Sequence, residues 1–193
     1  MENIEIEVKI FLEEYSSMLD WLKANAEPIK ISEQSDYYFE HPSHPFVSAN
    51  SQGEKNADEW LRVRFGKSDE VCYKKWHRDN VTGKSLYADE IETSVHDGNK
   101  LIQILESLGF NKISTIKKRR ESWRFNNFQF DCDEVEGLGF FVEIEYKGEI
   151  EDTTKGRQVI TDFLAEIGIR GWKIIKRGYP WMQWNPDIKH FEE

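Results

Sequence analysis

From Ile4 onward the chain alternates. Ile4, Ile6, Val8 and Ile10 fall on one face of an extended segment and Glu5, Glu7 and Lys9 on the other, which predicts a strand. Phe11 to Asn25 then carries Tyr15, Met18, Leu19 and Leu22 at helical spacing, the mark of an amphipathic helix. Ile29–Ile31 and Asp36–Phe39 read as two short strands. The polar stretch from His41 to Asp58, with Pro42, Pro45 and Gly53, predicts a long mobile loop that could act as a lid. Trp60–Phe65 and Glu70–His77 form a hairpin about Gly66-Lys67-Ser68-Asp69, and Leu86–Ser94 is a further strand. Asp97 opens a helix bearing Leu101, Ile104, Leu105 and Leu108, closed by Gly109. Ile113–Lys118 and Arg120–Phe125 are extended, and Phe128–Val135 and Phe140–Tyr146 flank a turn at Glu136-Gly137-Leu138-Gly139. Thr153 or Thr154 caps a helix carrying Val159, Ile160, Phe163, Leu164 and Ile167, and one more strand lies between Gly171 and Trp184. Many antiparallel strands with three interspersed helices make this an α+β chain built on a large sheet or a closed barrel.

The polar strand faces are sorted by sign. Trp60, Arg62 and Arg64 share one face, and Lys74 has the parity of Cys72 and Trp76. Lys118, Arg120, Ser122 and Arg124 share another, while Glu90 pairs with Glu92 and Glu143 with Glu145. An exposed antiparallel face can carry charge, and each strand taken singly fits that reading. Taken together the strands fit a second one, because solubility faces mix their charges and like charges on one face repel. The helices also need apolar faces to cover, which turns the charged faces inward. Burying such groups without partners costs several kcal/mol each. The interior must then hold water, ions or a ligand of matching charge. Glu5, Glu7, Glu143 and Glu145 are hard oxygen donors suited to Mg²⁺ or Mn²⁺. Arg62, Arg64, Lys74, Lys118 and Arg120 suit phosphate oxygens. A polyphosphate bridged by divalent ions would satisfy both sets.

Composition narrows the partners. At 193 residues, with 38% hydrophobic and 32% charged positions, one domain over 1–193 is expected, its acidic tail 186–193 fraying. A net charge of −10 excludes nucleic acid held by a general basic field. No apolar run reaches the roughly 20 residues of a membrane helix. Met1-Glu2-Asn3 has neither a basic region nor an apolar signal core, so a cytoplasmic protein is expected. Cys72 and Cys132 have no metal-type spacing and read as reduced packing thiols. Tyr179, Trp181 and Trp184 could close the end of the fold or form a dimer contact, leaving monomer and homodimer both open.

These motifs resemble the CYTH superfamily of triphosphate tunnel metalloenzymes. Glu5, Glu7 and Lys9 match its Glu-x-Glu-x-Lys, Asp36–Phe39 its Asp-x-Tyr-Phe-like segment, and Leu61–Arg64 its Leu-Arg-x-Arg. Lys74, the pair Glu90 and Glu92, and Lys118 with Arg120 follow in family order, and Asp133–Glu145 resembles its carboxylate-bearing hairpin. Lys118 and Arg120 are preferred to Lys117 and Arg119 because they set Trp123 at the family's aromatic position. Cys72 departs from the commoner threonine, and 41–58 aligns least well. The resemblance implies a closed eight-stranded antiparallel β-barrel, a tunnel with helices packed outside. It makes Glu5, Glu7, Asp133, Glu143 and Glu145 the metal-side acids, with Glu90 and Glu92 serving a second metal, and Lys9 the first phosphate cation. It implies a triphosphatase using Mg²⁺ or Mn²⁺ on tripolyphosphate, thiamine triphosphate or a nucleoside triphosphate. The alternative is a class IV adenylyl cyclase making cyclic AMP and pyrophosphate, and a third reading is a non-catalytic polyphosphate-binding module. Trp60 would either stack on the organic part of the substrate or pack at the barrel rim.

Overall fold

The computed structural model describes residues 6–78, 85–148, 153–175 and 177–188. Among them the elements run β1 (Ile6–Leu12), α1 (Ser16–Asn25), β2 (Glu27–Glu40), β3 (Val47–Ala49), β4 (Lys55–Ala57), β5 (Glu59–Phe65), β6 (Asp69–Arg78) and β7 (Ser85–Val95). They continue with α2 (Gly98–Ser107), β8 (Asn111–Phe125), β9 (Phe128–Val135), β10 (Gly139–Tyr146), α3 (Thr153–Glu166), β11 (Trp172–Ile174) and α4 (Tyr179–Trp184). Nine strands form one sheet in the order β11-β1-β10-β9-β8-β2-β5-β6-β7, with β3 and β4 pairing apart. The α+β class holds, but the strand number of eight needs correction to nine among the described residues. The order has two ends, and no ladder joins β11 to β7 among the described residues. The ninth strand is the short β11, whose apolar pattern is too brief to read in advance. Side-chain alternation gives the faces of a strand and carries no information on whether the last strand meets the first.

The chain divides into two compact units, one of residues up to 32 and from 118 to 177, the other of 33–117 with 178–188. In the first, β10 pairs with β1 and β9, and β9 with the C-terminal part of β8. Ile6, Val8, Ile10 and Leu12 are buried as the alternation predicts, packed with Met18 and Leu22 of α1 and Ile160 and Leu164 of α3. Fully burying each such side chain contributes about 1.5–3 kcal/mol. Gly156 lets α3 lie close on β1, since a Cβ there would come within 2.5 Å of Ile6. The predicted first helix starts late, at Ser16, because Phe11 and Leu12 stay in β1 opposite Phe141 and Trp172. The β9–β10 turn needs left-handed backbone at Gly137 (φ 76°) and Gly139 (φ 104°).

In the second unit α2 is capped by Asp97, whose side chain accepts from Lys100 N at 3.0 Å. Its Leu101, Ile102 and Leu105 cover Phe39, Leu61, Val63, Phe65 and Val71. The two short strands predicted in 29–39 are one strand of 14 residues. Its first half is exposed and shows no periodicity, yet backbone pairing needs none. For the same reason β8 runs unbroken from Asn111 to Phe125.

The 41–58 stretch is not the free lid expected. Its β3–β4 hairpin is tied down: the Glu40 carboxylate accepts from Phe46 N (3.0 Å) and Val47 N (3.1 Å). The Asn185 amide accepts from Lys55 N at 2.8 Å and donates to Lys55 O at 2.9 Å, while Trp181 Nε1 donates to Asn56 Oδ1 at 3.0 Å. The clamp comes from more than a hundred residues away, so local sequence could not reveal it. The predicted C-terminal strand is two elements, β11 and then α4, whose start Pro180 favours by fixing φ. Tyr179 and Trp181 are buried within the chain. Of the tail, 186–188 are exposed turn residues, and the rest lies outside the described residues. Asn185→Ala removes both bonds to Lys55 and should lower stability by about 1–3 kcal/mol. Thermal denaturation checks this, and an unchanged midpoint would mean the hairpin does not need the clamp.

Candidate functional site

In the first unit the register assembles a charged face. Lys9 stands opposite Glu143 and Glu7 opposite Glu145; Glu143 in turn faces Asp131, and Asp133 faces Arg120. Lys9 Nζ lies 2.8 Å from Glu143 Oε1. Arg120 donates from Nε and Nη2 to the two oxygens of Asp133, both at 2.6 Å, from Nη1 to Asp131 at 3.0 Å and from Nη2 to Glu143 at 2.5 Å. Lys118 Nζ donates to Asp133 Oδ2 at 2.9 Å, and Ser122 Oγ to Asp131 Oδ1 at 2.5 Å. Asp133 and the Lys118 ammonium are almost wholly withdrawn from solvent, at 0% and 3% side-chain exposure.

The electrostatics follow from this packing. Burial would raise the Asp133 carboxyl, but the Arg120 hydrogen bonds and the Lys118 charge hold it below the usual carboxylate range. Glu143 is held far below its usual value in the same way, burial being overcome by Lys9, Arg120 and Lys118. Lys9 is raised because its pairing with Glu143 outweighs burial. Lys118 is lowered: burial and the neighbouring Arg120 act against its charge more than Asp133 supports it.

The second unit carries its own cluster. Arg64 binds Asp36 through Nε (2.6 Å) and Nη2 (2.8 Å), a bidentate pair with Asp36 buried, and Nη1 reaches Glu70 at 3.3 Å. Arg62 Nη2 lies 2.8 Å from Glu70 and 3.4 Å from Glu92, and its buried Nε has no hydrogen-bond partner among the described residues. Lys74 Nζ is 2.8 Å from Glu90 and 5.4 Å from the Trp76 ring centre. Trp60 packs edge-on against Tyr38 and Trp76 and stacks on Trp184, rings 5.5 Å apart and 10° from parallel. One face of its ring is therefore given to packing.

Of the residues singled out from sequence, the structure brings Glu7, Lys9, Lys118, Arg120, Asp133, Glu143 and Glu145 onto one face in the first unit. Trp60, Arg62, Arg64, Lys74, Glu90 and Glu92 share a face in the second. Glu5 lies outside the described residues. Lys118 and Arg120 lie on the charged face, whereas Lys117 is exposed and Arg119 pairs with Glu121. Sequence reading left out Asp131 and Glu70, and it named Ser122 and Asp36 without giving either a partner. Asp131 has the parity of Asp133, and Glu70 that of Cys72 and Lys74, so alternation extended by one step would have found both.

A mostly antiparallel sheet with four helices among the described residues, bearing sign-sorted carboxylates and cations, defines the class. Residues 3–179 match the CYTH domain family, and the chain belongs to it. It is 30% identical over 179 residues to the Methanocaldococcus jannaschii protein named "Putative adenylate cyclase MJ0240", covering 91% of this chain and 96% of that one. It is 28% identical over 98 residues, about half of each chain, to adenylate cyclase CyaB of Aeromonas hydrophila. Among solved structures, the PH1819 protein of Pyrococcus horikoshii superposes with a TM-score of 0.71 at 25% identity, over 95% of this chain and 99% of that one. HpAC1 from Hippeastrum, whose structure is described as revealing a dominant triphosphatase activity, shares the fold with a TM-score of 0.68 at 18% identity, over 96% and 98%. No helix among the described residues is long and apolar enough to cross a membrane.

Proposed function

We propose that the protein hydrolyses a small-molecule triphosphate with the help of Mg²⁺ or Mn²⁺. The observation that carries this is the register Glu7↔Glu145 beside Lys9↔Glu143. Two carboxylates directly across an antiparallel ladder repel each other, and Lys147, 2.8 Å from Glu145, and Lys9, which attracts Glu7, set cations beside them. A divalent cation removes the repulsion, and an all-oxygen donor set of this kind fits a hard ion. Glu7, Glu143 and Glu145 would hold it. Bound, such an ion neutralises phosphate charge and acidifies a water molecule.

The remaining roles belong to the cations. Lys9, Lys118, Arg120, Arg62, Arg64 and Lys74 are the candidates to bind phosphate oxygens and to offset charge as it redistributes in a loose transition state, which is mostly positioning and electrostatics. Lys118 has the most to gain from an added anion, because burial and Arg120 depress its charge. Arg64 has two of its donors committed to Asp36, which fixes the plane of the guanidinium before any ligand arrives.

Relatives named as adenylate cyclases support a second reading, in which ATP is the substrate and its own 3′-hydroxyl the nucleophile. HpAC1 is a protein of this fold described by triphosphatase activity, so fold alone does not choose the reaction. One assay separates them. The pure protein is incubated with Mg²⁺ or Mn²⁺ and, separately, tripolyphosphate, thiamine triphosphate and ATP, and phosphate, pyrophosphate and cyclic AMP are measured. Phosphate release supports the hydrolase. Cyclic AMP with an equal amount of pyrophosphate replaces it with the cyclase, and binding without turnover replaces both with a binding module.

A further inference from the structure

The aromatic residues of the second unit stand on the same face as its cations. Tyr38 lies across from Arg62 and Trp60 across from Lys74, and Trp76 follows Lys74 by two residues on β6. An aromatic ring beside phosphate-binding cations is a platform on which a heterocycle can stack, provided a face of the ring is free. Each of these rings is already engaged. Trp184 of α4 lies on Trp60 with 10° between planes and 5.5 Å between centres, the arrangement a bound heterocycle would adopt. Tyr38 and Trp76 meet Trp60 edge-on at 5.1 and 5.7 Å. Tyr38 is itself buried, and Lys74 Nζ lies over the Trp76 ring at 5.4 Å.

Trp184 is firmly held. Its Nε1 donates to Ile113 O at 3.4 Å. The preceding Gln183 accepts from Ser114 Oγ at 2.5 Å and donates to Thr115 O at 3.2 Å. The next residue, Asn185, is the clamp on Lys55, and Trp181 one turn earlier is tied to Asn56. Strands β8 and β4 thus both grip a helix of six residues. To reach the covered face of Trp60, a heterocycle would have to swing the Trp184 ring out. That loses the bond to Ile113 and one stack in order to regain one stack.

We propose that Trp184 is a specificity-determining residue: it takes the stacking place on the face of Arg62, Arg64 and Lys74, so the site selects inorganic triphosphate over triphosphates that carry a heterocycle. This rests on the triphosphate reading given above and narrows it to substrates without an organic part. Arginine and lysine recognise phosphate oxygens alike in tripolyphosphate, ATP and thiamine triphosphate. The difference lies in the organic group, which is left in water or fitted against Trp184. Its freedom is then restricted without a compensating contact.

Binding and turnover are measured separately on the full chain. Calorimetry with Ca²⁺ gives the dissociation constants of tripolyphosphate, ATP and thiamine triphosphate, and phosphate release with Mg²⁺ gives kcat/KM for each. The wild type should bind tripolyphosphate about tenfold or more tighter than either organic triphosphate, the size of one forgone base–aromatic stack. Trp184→Ala, which bares the face of Trp60, should tighten ATP and thiamine triphosphate by about tenfold and leave tripolyphosphate unchanged. Trp184→Phe keeps a ring there and should keep the wild-type preference. Equal wild-type affinity for tripolyphosphate and ATP overturns the proposal, as does a Trp184→Ala ratio like that of the wild type. A Trp184→Phe shift as large as that of Trp184→Ala also overturns it. If Trp184→Ala does not fold, the wild-type ratio carries the test. A tenfold preference without phosphate release would refute the hydrolase and leave the selection standing, whereas equal kcat/KM and affinity for ATP and tripolyphosphate would do the reverse. Binding of none of the three would overturn both.

Discussion

Asp133→Asn should destabilise the protein by about 3–5 kcal/mol, because it strips the countercharge from two buried cations at once. Asp133 is fully buried, bound bidentately by Arg120 and also by Lys118. Asparagine keeps the shape but leaves excess positive charge where water cannot screen it. For a chain of this size the loss corresponds to roughly 6–20 °C in melting temperature. Lys117→Met, one residue from the buried Lys118 but exposed, should change stability by no more than about 0.5 kcal/mol. The acid side of the stability curve offers an independent check. Asp133 and Glu143 are both held below the usual carboxylate range in the folded state. Their contribution is therefore complete above the unfolded values near 4, and is lost as pH falls through the lower folded ones. Stability of the wild type should decline as pH drops below about 4, and Asp133→Asn should show a shallower decline. Equal slopes, or a small destabilisation, would show that the Asp133 network is not what holds this face together.

Glu7→Gln should have the opposite profile: full stability and almost no turnover. Glu7 is exposed on β1 and stands across from Glu145, so losing its charge trades that repulsion against its attraction to Lys9 and should change the melting point little. If Glu7 holds the divalent ion, the variant forfeits part of the several kcal/mol such an ion supplies, a fall in turnover of about 100-fold or more. The measurement is steady-state phosphate release with Mg²⁺ and with Mn²⁺, alongside a thermal melt. Wild-type turnover in Glu7→Gln would remove Glu7 from the metal set. A lowered melting point would point instead to a structural role. The two variants thus separate carboxylates on the same sheet: Asp133 is committed to Lys118 and Arg120 within the fold, while Glu7 faces another acid.

The alternation of β1 is a case where local pattern and final structure agree. Ile6, Val8 and Ile10 are core, Lys9 is on the charged face, and the same parity argument places Arg62 with Arg64 and Glu143 with Glu145. Strand periodicity is a property of consecutive residues, so it survives into the fold wherever one face is buried. It fails where neither face is distinct, as in the exposed first half of β2, and where an element is too short to show a period, as in β11 and α4.

The candidate residues were therefore written in the linear chain: the carboxylates and cations, their signs and their faces. Partner choice was not. That Arg120 meets Asp133, that Arg64 is locked by Asp36, that Asn185 clamps Lys55 and that Cys72 lies against Glu90 all depend on registers and contacts between segments distant in sequence. So does the sheet's having nine strands among the described residues where eight were expected. Pairing energies between strands are spread over many backbone bonds, and no local residue records which strand will be the neighbour. The side chains specify the charges of the candidate site, and the long-range pairing of strands decides which charges come to face one another.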